Sequence, residues 1–354
     1  MSTSTASMSY LEQAEALLDR RDPNALQVFD VAETRGANAD RCAAGRWMAH
    51  MFAGDFASAW RESDAIRGRG GDDPHRLWTG ESIEGRRIIV RCLHGFGDAI
   101  QFLRYAPRLR NLAAEVTYEV PPALFELAPY IDGVDSVVTW GRLAPVSPTF
   151  WDTQIEVMEL PYIFRTEIRD LPIAEQYVHL PQTRCNCVNR KMGVRNHPRV
   201  GVVWAAGDWN PTRSIPFPVF STLLSEPCCE FWSLQGGAAQ SDWSQMPPSP
   251  RLRDSAELGD GLLTLACAIS QLDLVITVDT LAAHLAGAMG IPAWVLLQHA
   301  ADWRWMAGGT KSPWYPSLRL FRQQICGDWP DMIEEVRQEL RQWKQLCSRP
   351  QKIA

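Results

Sequence analysis

The chain has 354 residues, of which 46% are apolar, with a formal charge of −6 and nine cysteines. That length suggests two or three domains with substantial cores, and the acidic balance without a Lys/Arg run excludes a nucleic-acid coat. No apolar span of about 18 residues and no signal peptide is present, so a cytoplasmic protein with at most peripheral membrane contact is expected. The cysteines show no Cys-x-x-Cys spacing, which favours reduced thiols over a metal site.

Tyr10 to Ile66 reads as helical throughout, in segments near Leu11–Asp19, Asn24–Thr34, Ala39–Met51 and Phe56–Ile66. Asp22 and Asp55 each open a turn between two of these helices. The turn Gly54-Asp55-Phe56, followed by Ala59 and Trp60, is similar to the middle of a tetratricopeptide repeat, whose period is about 34 residues. Two degenerate units are fewer than the three or so that stand alone, so this segment is expected to pack on the rest of the chain. It could also hold a protein partner. Arg67 to Asp73 is a charged linker, and Trp78 is expected to fasten it to the first sheet domain by packing.

Strand and helix then alternate. Strands near Ile88–Arg91, Val116–Val120, Ser136–Val138 and Gln154–Val157 predict a parallel sheet covered on both faces. The first ends in Leu93-His94-Gly95-Phe96-Gly97-Asp98, which opens a helix from about Asp98 to Leu112. Gly95 and Gly97 would let the backbone approach a ligand, and Asp98 stands where the chain leaves the carboxyl end of the sheet. There it is either an N-cap or a general base. The third glycine of a dinucleotide fingerprint is missing, which argues against a nicotinamide site. Gln101 and Arg104, one and two turns on, would line the acceptor side or lie on the surface.

Gln182 to Pro198 is polar and breaks the pattern. Arg199–Trp204, Glu230–Leu234, Leu272–Val278, Ala293–Leu297 and Leu318–Arg322 read as strands of a second sheet, closed by an amphipathic helix over Asp331 to Leu346. Leu272 to Val278 is an apolar run of a strand buried on both faces, and Thr280 to Met289 is a helix of small residues. Thr280 is a good N-cap, and the first-turn N–H groups with their positive dipole end suit a diphosphate. His284, four residues on, could reach the same anion or be a core histidine. Two doubly wound domains facing a cleft would place the Gly97-Asp98 and Asp279-Thr280 turns on opposite walls.

In order, GFGDAIQFLRYAP, RVGVVWAAGDWNPTRSIP, FWSLQ, LDLVITVDTLAAHLAGAMGIPAWVLL, DWRW and SPWYPSLRLFRQ resemble the GT-B glycosyltransferase domain that follows tetratricopeptide repeats in many bacterial proteins. That domain is similar to the heptosyltransferases of lipopolysaccharide synthesis. The resemblance covers about Leu77 to Trp343 and implies an α/β fold of two Rossmann-like domains after a short all-α segment. The expected boundaries are residues 1–70 for the helices, 76–185 for the acceptor-side domain and 196–354 for the nucleotide-sugar domain.

It further implies inverting, metal-independent transfer from a nucleotide-diphosphate sugar, a substrate rather than a cofactor, to a saccharide, glycolipid or protein acceptor. The absence of Asp-x-Asp agrees with this. Asp98 would deprotonate the acceptor. Arg213, with Ser214 beside it, the start of the Thr280 helix through Ala283, and His284 would hold the diphosphate; one preorganised donor is typically worth about 3 kcal/mol of barrier. Asp279 would hold sugar hydroxyls, Gln235 the ribose or base, and Trp303 with Asp302 and Arg304 would border the pocket. Trp204 and Trp294 read as core. The loop AAGDWNPT departs from the family pattern, which usually carries more Asn and His there. The alternative reading is a non-catalytic nucleotide-binding or tetratricopeptide scaffold protein.

Overall fold

The computed structural model describes residues 9–70, 78–140, 151–172, 176–227 and 229–347. The linker residues 71–73 and Cys228 lie outside these. Four helices come first: α1 (Tyr10–Asp19), α2 (Ala25–Thr34), α3 (Ala39–Ala53) and α4 (Phe56–Gly68). Their starts follow from local chemistry. Ser9 and Glu12 form a reciprocal capping box on α1, while Asn38 and Asp55 accept first-turn N–H groups of α3 and α4. Gly54 ends α3 at φ +76°, a left-handed cap that a residue with a Cβ enters at a penalty.

β1 (Arg87–Arg91), α5 (Phe96–Phe102), α6 (Ala106–Arg110), β2 (Glu115–Val120), β3 (Ser136–Thr139) and β4 (Thr153–Glu156) follow. After them come α7 (Leu160–Ile163), α8 (Gln182–Met192), β5 (Arg199–Val203), α9 (Phe217–Phe220), β6 (Glu230–Ser233) and β7 (Leu252–Asp254). The chain closes with α10 (Leu262–Ile269), β8 (Leu274–Val278), α11 (Leu281–Ala288), β9 (Ala293–Leu297), β10 (Leu318–Arg322) and α12 (Trp329–Cys347).

Three expectations need correction. The helix expected over Asp98 to Leu112 is α5 and α6 separated by a 3-10 turn, Leu103–Tyr105. Pro107 has no N–H to return to Leu103, so the regular ladder stops there. The polar stretch Gln182 to Pro198 is not a break but mostly helix: α8 buries Cys185, Val188 and Met192 along one face and leaves its polar face outward. The second sheet also has an edge strand, β7, too short at three residues for alternation to reveal.

The chain forms two compact units. In the first, each of α1 to α4 packs on the next, and residues 159–171 and 300–309 join them. Those two segments cover part of α3 and α4. Trp60 donates its indole N–H to Thr166 O at 2.8 Å and packs on Tyr162, while Asp64 holds Arg165 at 2.7 Å. Trp78 stacks edge-on against Phe164 in this same unit, and donates to Glu81 O.

The second unit contains both sheets. Every pairing in them is parallel; the orders are β3-β2-β1-β4 and β10-β9-β8-β5-β6-β7. Numbered from its own first strand, the larger sheet runs 3-2-1-4-5-6, the doubly wound dinucleotide-fold order, and the smaller one is its first half plus one strand. The larger core gathers Val202, Trp204, Phe217, Phe220, Ile276 and Leu296 with Trp329, Ile333, Val336 and Leu340 of α12.

A charge cluster fastens α12 beneath that core. Glu226 is buried and accepts hydrogen bonds from Arg341 at 2.6 and 2.9 Å and from Arg337 at 3.0 Å. Arg341, then Arg337, hold its carboxyl below the ordinary 4.5 against the opposing effect of burial. A lowered folded-state value means that this stabilisation is complete above the unfolded value and lost as pH falls through the folded one. Glu226→Gln is therefore expected to destabilise the protein at pH 7 and to flatten the acid side of its stability curve, below about pH 4.5, in circular-dichroism melts.

Candidate functional site

In the larger sheet the chain steps outward from β5 to β7 and returns to place β8 on the other side of β5. In open sheets of this kind such a reversal is where ligands bind, beyond the carboxyl ends of the strands, here Val203 of β5 and Val278 of β8. The loop leaving β5 is held at its base. Ile215 N–H donates to Trp204 O at 2.8 Å, and Ser214 Oγ accepts from Ala206 N–H at 3.0 Å.

Gln235, buried at the end of the next strand, completes the tie. Its Oε1 accepts from Trp204 and Ala205 N–H at 3.1 and 2.9 Å, and its Nε2 donates to Ala205 O and Gly236 O at 3.1 and 2.9 Å. In this structure the amide's donors and its oxygen are all engaged in supporting the backbone of the loop that leaves β5.

Arg213 reaches from the loop after β5 to the end of β8. Its Nη1 donates to Asp279 O at 3.1 Å and lies 3.8 Å from the Asp279 carboxylate. The guanidinium also stands over Trp209, 5.2 Å from the ring centroid, and Trp209 is 82% exposed. Thr280 caps α11 as expected: its Oγ1 accepts from Ala282 N–H at 3.3 Å and lies 2.9 Å from the Thr277 hydroxyl. Ala283 N–H donates to Thr280 O at 3.0 Å. Two first-turn N–H groups are therefore occupied by Thr280 itself, and the positive character of this end comes from the helix dipole and Arg213.

The smaller sheet reverses in the same way between β1 and β4, and the Gly95-to-Asp98 turn leaves β1 there. Asp98, half-buried, accepts from Gly95 N–H at 3.1 Å through Oδ2, which shapes the first turn of α5. α5 packs directly on α11. A Cβ on Gly97 would lie 2.6 Å from His284 Cδ2 and 3.2 Å from Nε2. His284 alone therefore explains a glycine at this position, where α5 packs on α11.

Deeper in α5, Gln101 is fully buried and neither side-chain polar atom has a hydrogen-bond partner. Arg104 is buried too, not on the surface. It donates to Gln101 O at 2.7 Å, Trp314 O at 2.8 Å and the Tyr177 hydroxyl at 3.4 Å. Tyr315 completes this group with its hydroxyl 3.0 Å from His284 Nδ1. Sequence reasoning did not single out Tyr177 or Tyr315, although SPWYP contains the second.

Trp303 lies in the helical unit. Its ring meets Trp47 at 5.7 Å and Phe56 at 6.4 Å, both edge-on, and the turn that carries it is capped by Asp302. Packing on α3 and α4 is the role the structure shows for it.

No protein-family model matches the chain. Two solved structures resemble it over their whole length. One is the family 9 glycosyl transferase of Veillonella parvula, 14% identical, covering 76% of this chain and all of that one, with a TM-score of 0.54. The other is the ADP-heptose lipopolysaccharide heptosyltransferase II of E. coli, 12% identical over 74% of this chain and all of that one, with a TM-score of 0.55. The chain has the heptosyltransferase fold. Protein FlbA of Caulobacter vibrioides is 23% identical over 306 residues, 76% of this chain and 48% of FlbA. The chain therefore spans about half the length of the curated relative it matches. Among the described residues no helix is long and apolar enough to cross a membrane.

Proposed function

We propose that the protein is a glycosyltransferase that moves a sugar from a nucleotide-diphosphate donor to a hydroxyl of a saccharide, lipid-linked saccharide or protein side chain. The observation that carries this reading is the bridge from Arg213 to Asp279 at the β5/β8 reversal, with the Gly97-Asp98 turn seated on His284 of the adjoining helix. Sugar departure leaves negative charge on the diphosphate, and Arg213, the α11 dipole and His284 concentrate positive or proton-donating groups beside it. Asp98, at the mouth of β1, takes the acceptor proton as general base. Single displacement inverts the anomeric centre, and with these groups balancing the anion the reaction is metal-independent.

Calorimetric titration with ADP, GDP, UDP and their sugar conjugates, without divalent metal, tests the donor site. One nucleotide is expected to bind, and Arg213→Ala to weaken it roughly tenfold or more through loss of a charge-assisted contact. Binding of none would leave a scaffold protein with a vestigial site as the better account.

A further inference from the structure

α11 presents its histidine through an unusual packing arrangement. The Tyr315 ring lies on Gly287, where a Cβ would come within 2.4 Å of its Cδ1, so only glycine admits the ring this close to the helix. Gly287 is one turn beyond His284, and the ring placed there carries its hydroxyl to 3.0 Å from His284 Nδ1. The opposite edge of the imidazole, Cδ2 to Nε2, faces Gly97. Two glycines, one on each side, thus fix where the histidine and its hydroxyl partner stand.

Behind Tyr315 is a buried cation. The Arg104 guanidinium is 4.6 Å from the Tyr315 ring centroid and 5.2 and 5.3 Å from the Tyr177 and Trp314 rings. Tyr177 spends its own hydroxyl proton on Ile100 O at 3.0 Å. Arginine donates only, so it turns the lone pairs of nearby hydroxyls toward itself and their protons away. Away from Arg104 the Tyr315 hydroxyl meets two acceptors, the Tyr177 oxygen and His284 Nδ1 at 3.0 Å, and donation to Nδ1 is the one that sets the histidine tautomer.

We propose that Tyr315, backed by Arg104, is a positioning residue that fixes His284 as the neutral Nε2–H tautomer, its proton-bearing nitrogen turned to the turn that carries Asp98. The proposal rests on the glycosyltransferase reading for its purpose: the donor's diphosphate then meets an N–H whose direction is set before binding, without reorganisation. Burial, with Tyr177 adding to it, holds the Tyr315 phenol well above its ordinary value despite Arg104, so the hydroxyl keeps the proton it donates.

The test uses the full chain labelled with 15N-histidine, with His284 assigned by the resonance lost in His284→Gln. Long-range 1H–15N correlation at pH 8 is expected to show the proton on Nε2 and Nδ1 as a hydrogen-bonded acceptor. In Tyr315→Phe, which keeps the ring on Gly287 and is checked for folding by its thermal melt, the Nδ1 signal should move and the two tautomers should mix. The same variant should weaken binding of the nucleoside diphosphate by roughly tenfold. A wild-type proton on Nδ1, or a His284 signature unchanged in Tyr315→Phe, overturns the positioning role. Tautomers as expected in a protein that binds none of ADP, GDP and UDP support the positioning of His284 and overturn the donor-site reading instead.

Discussion

Asp98→Asn is expected to lower sugar transfer by about a hundred- to ten-thousandfold while leaving donor binding intact. The substitution suits the site because an asparagine oxygen can still accept the Gly95 N–H that Asp98 Oδ2 accepts at 3.1 Å. The turn, and with it the seat of His284 on Gly97, should therefore survive. What asparagine cannot do is take a proton from an acceptor hydroxyl. The measurement pairs nucleoside diphosphate release in the presence of acceptor with a donor titration of the same preparation. Loss of both would point to a collapsed turn, and transfer at the wild-type rate would remove Asp98 from the chemistry. A variant that binds donor and does not turn over is the signature of a missing base.

The place of Asp98 at a strand-to-helix junction was legible in the sequence because it depends on short-range pattern. β1, β5 and β8 announce themselves as apolar β-branched runs, and a glycine turn or an Asp-Thr pair follows two of them directly. Parallel order and reversal points then follow from the alternation of strands and helices. Residues whose roles depend on distant partners were not legible. Gln235 sits where a ligand contact is expected, yet its amide is consumed by a loop some 30 positions earlier. Arg104 has the look of a surface position on a short helix, but Trp314 and Tyr315, 210 residues on, close over it. Gly97 resembles a ligand cradle until α11 is laid on α5. Trp303 follows a strand of the larger sheet in sequence while its ring belongs with α3 and α4. Local physics specified the elements and the junctions; which face each junction turns inward came from packing between segments far apart in the chain.

The tryptophans at the end of β5 and in the loop after it differ in what they hold, and Trp204→Ala is expected to destabilise the second unit by about 3 to 5 kcal/mol. Trp204 is fully buried at the end of β5. Its ring packs on Phe217 at 4.8 Å, Phe220 at 5.8 Å and Trp243 at 6.0 Å, and its indole N–H donates to Asp242 at 3.2 Å. Truncation loses those contacts, leaves a cavity at the end of β5 and unseats the backbone that Gln235 grips, a large share of a typical stability of about 5 to 15 kcal/mol. Trp209, five residues later and 82% exposed, has little such packing to lose, so Trp209→Ala should melt with the wild type. Thermal melts of the two variants measure the difference directly. A Trp204→Ala protein as stable as wild type would mean that the core beneath β5 is loosely packed and cannot be what aims Arg213. If Trp204→Ala melts early and Trp209→Ala does not, the loop's inner tryptophan is the anchor from which Arg213 reaches Asp279.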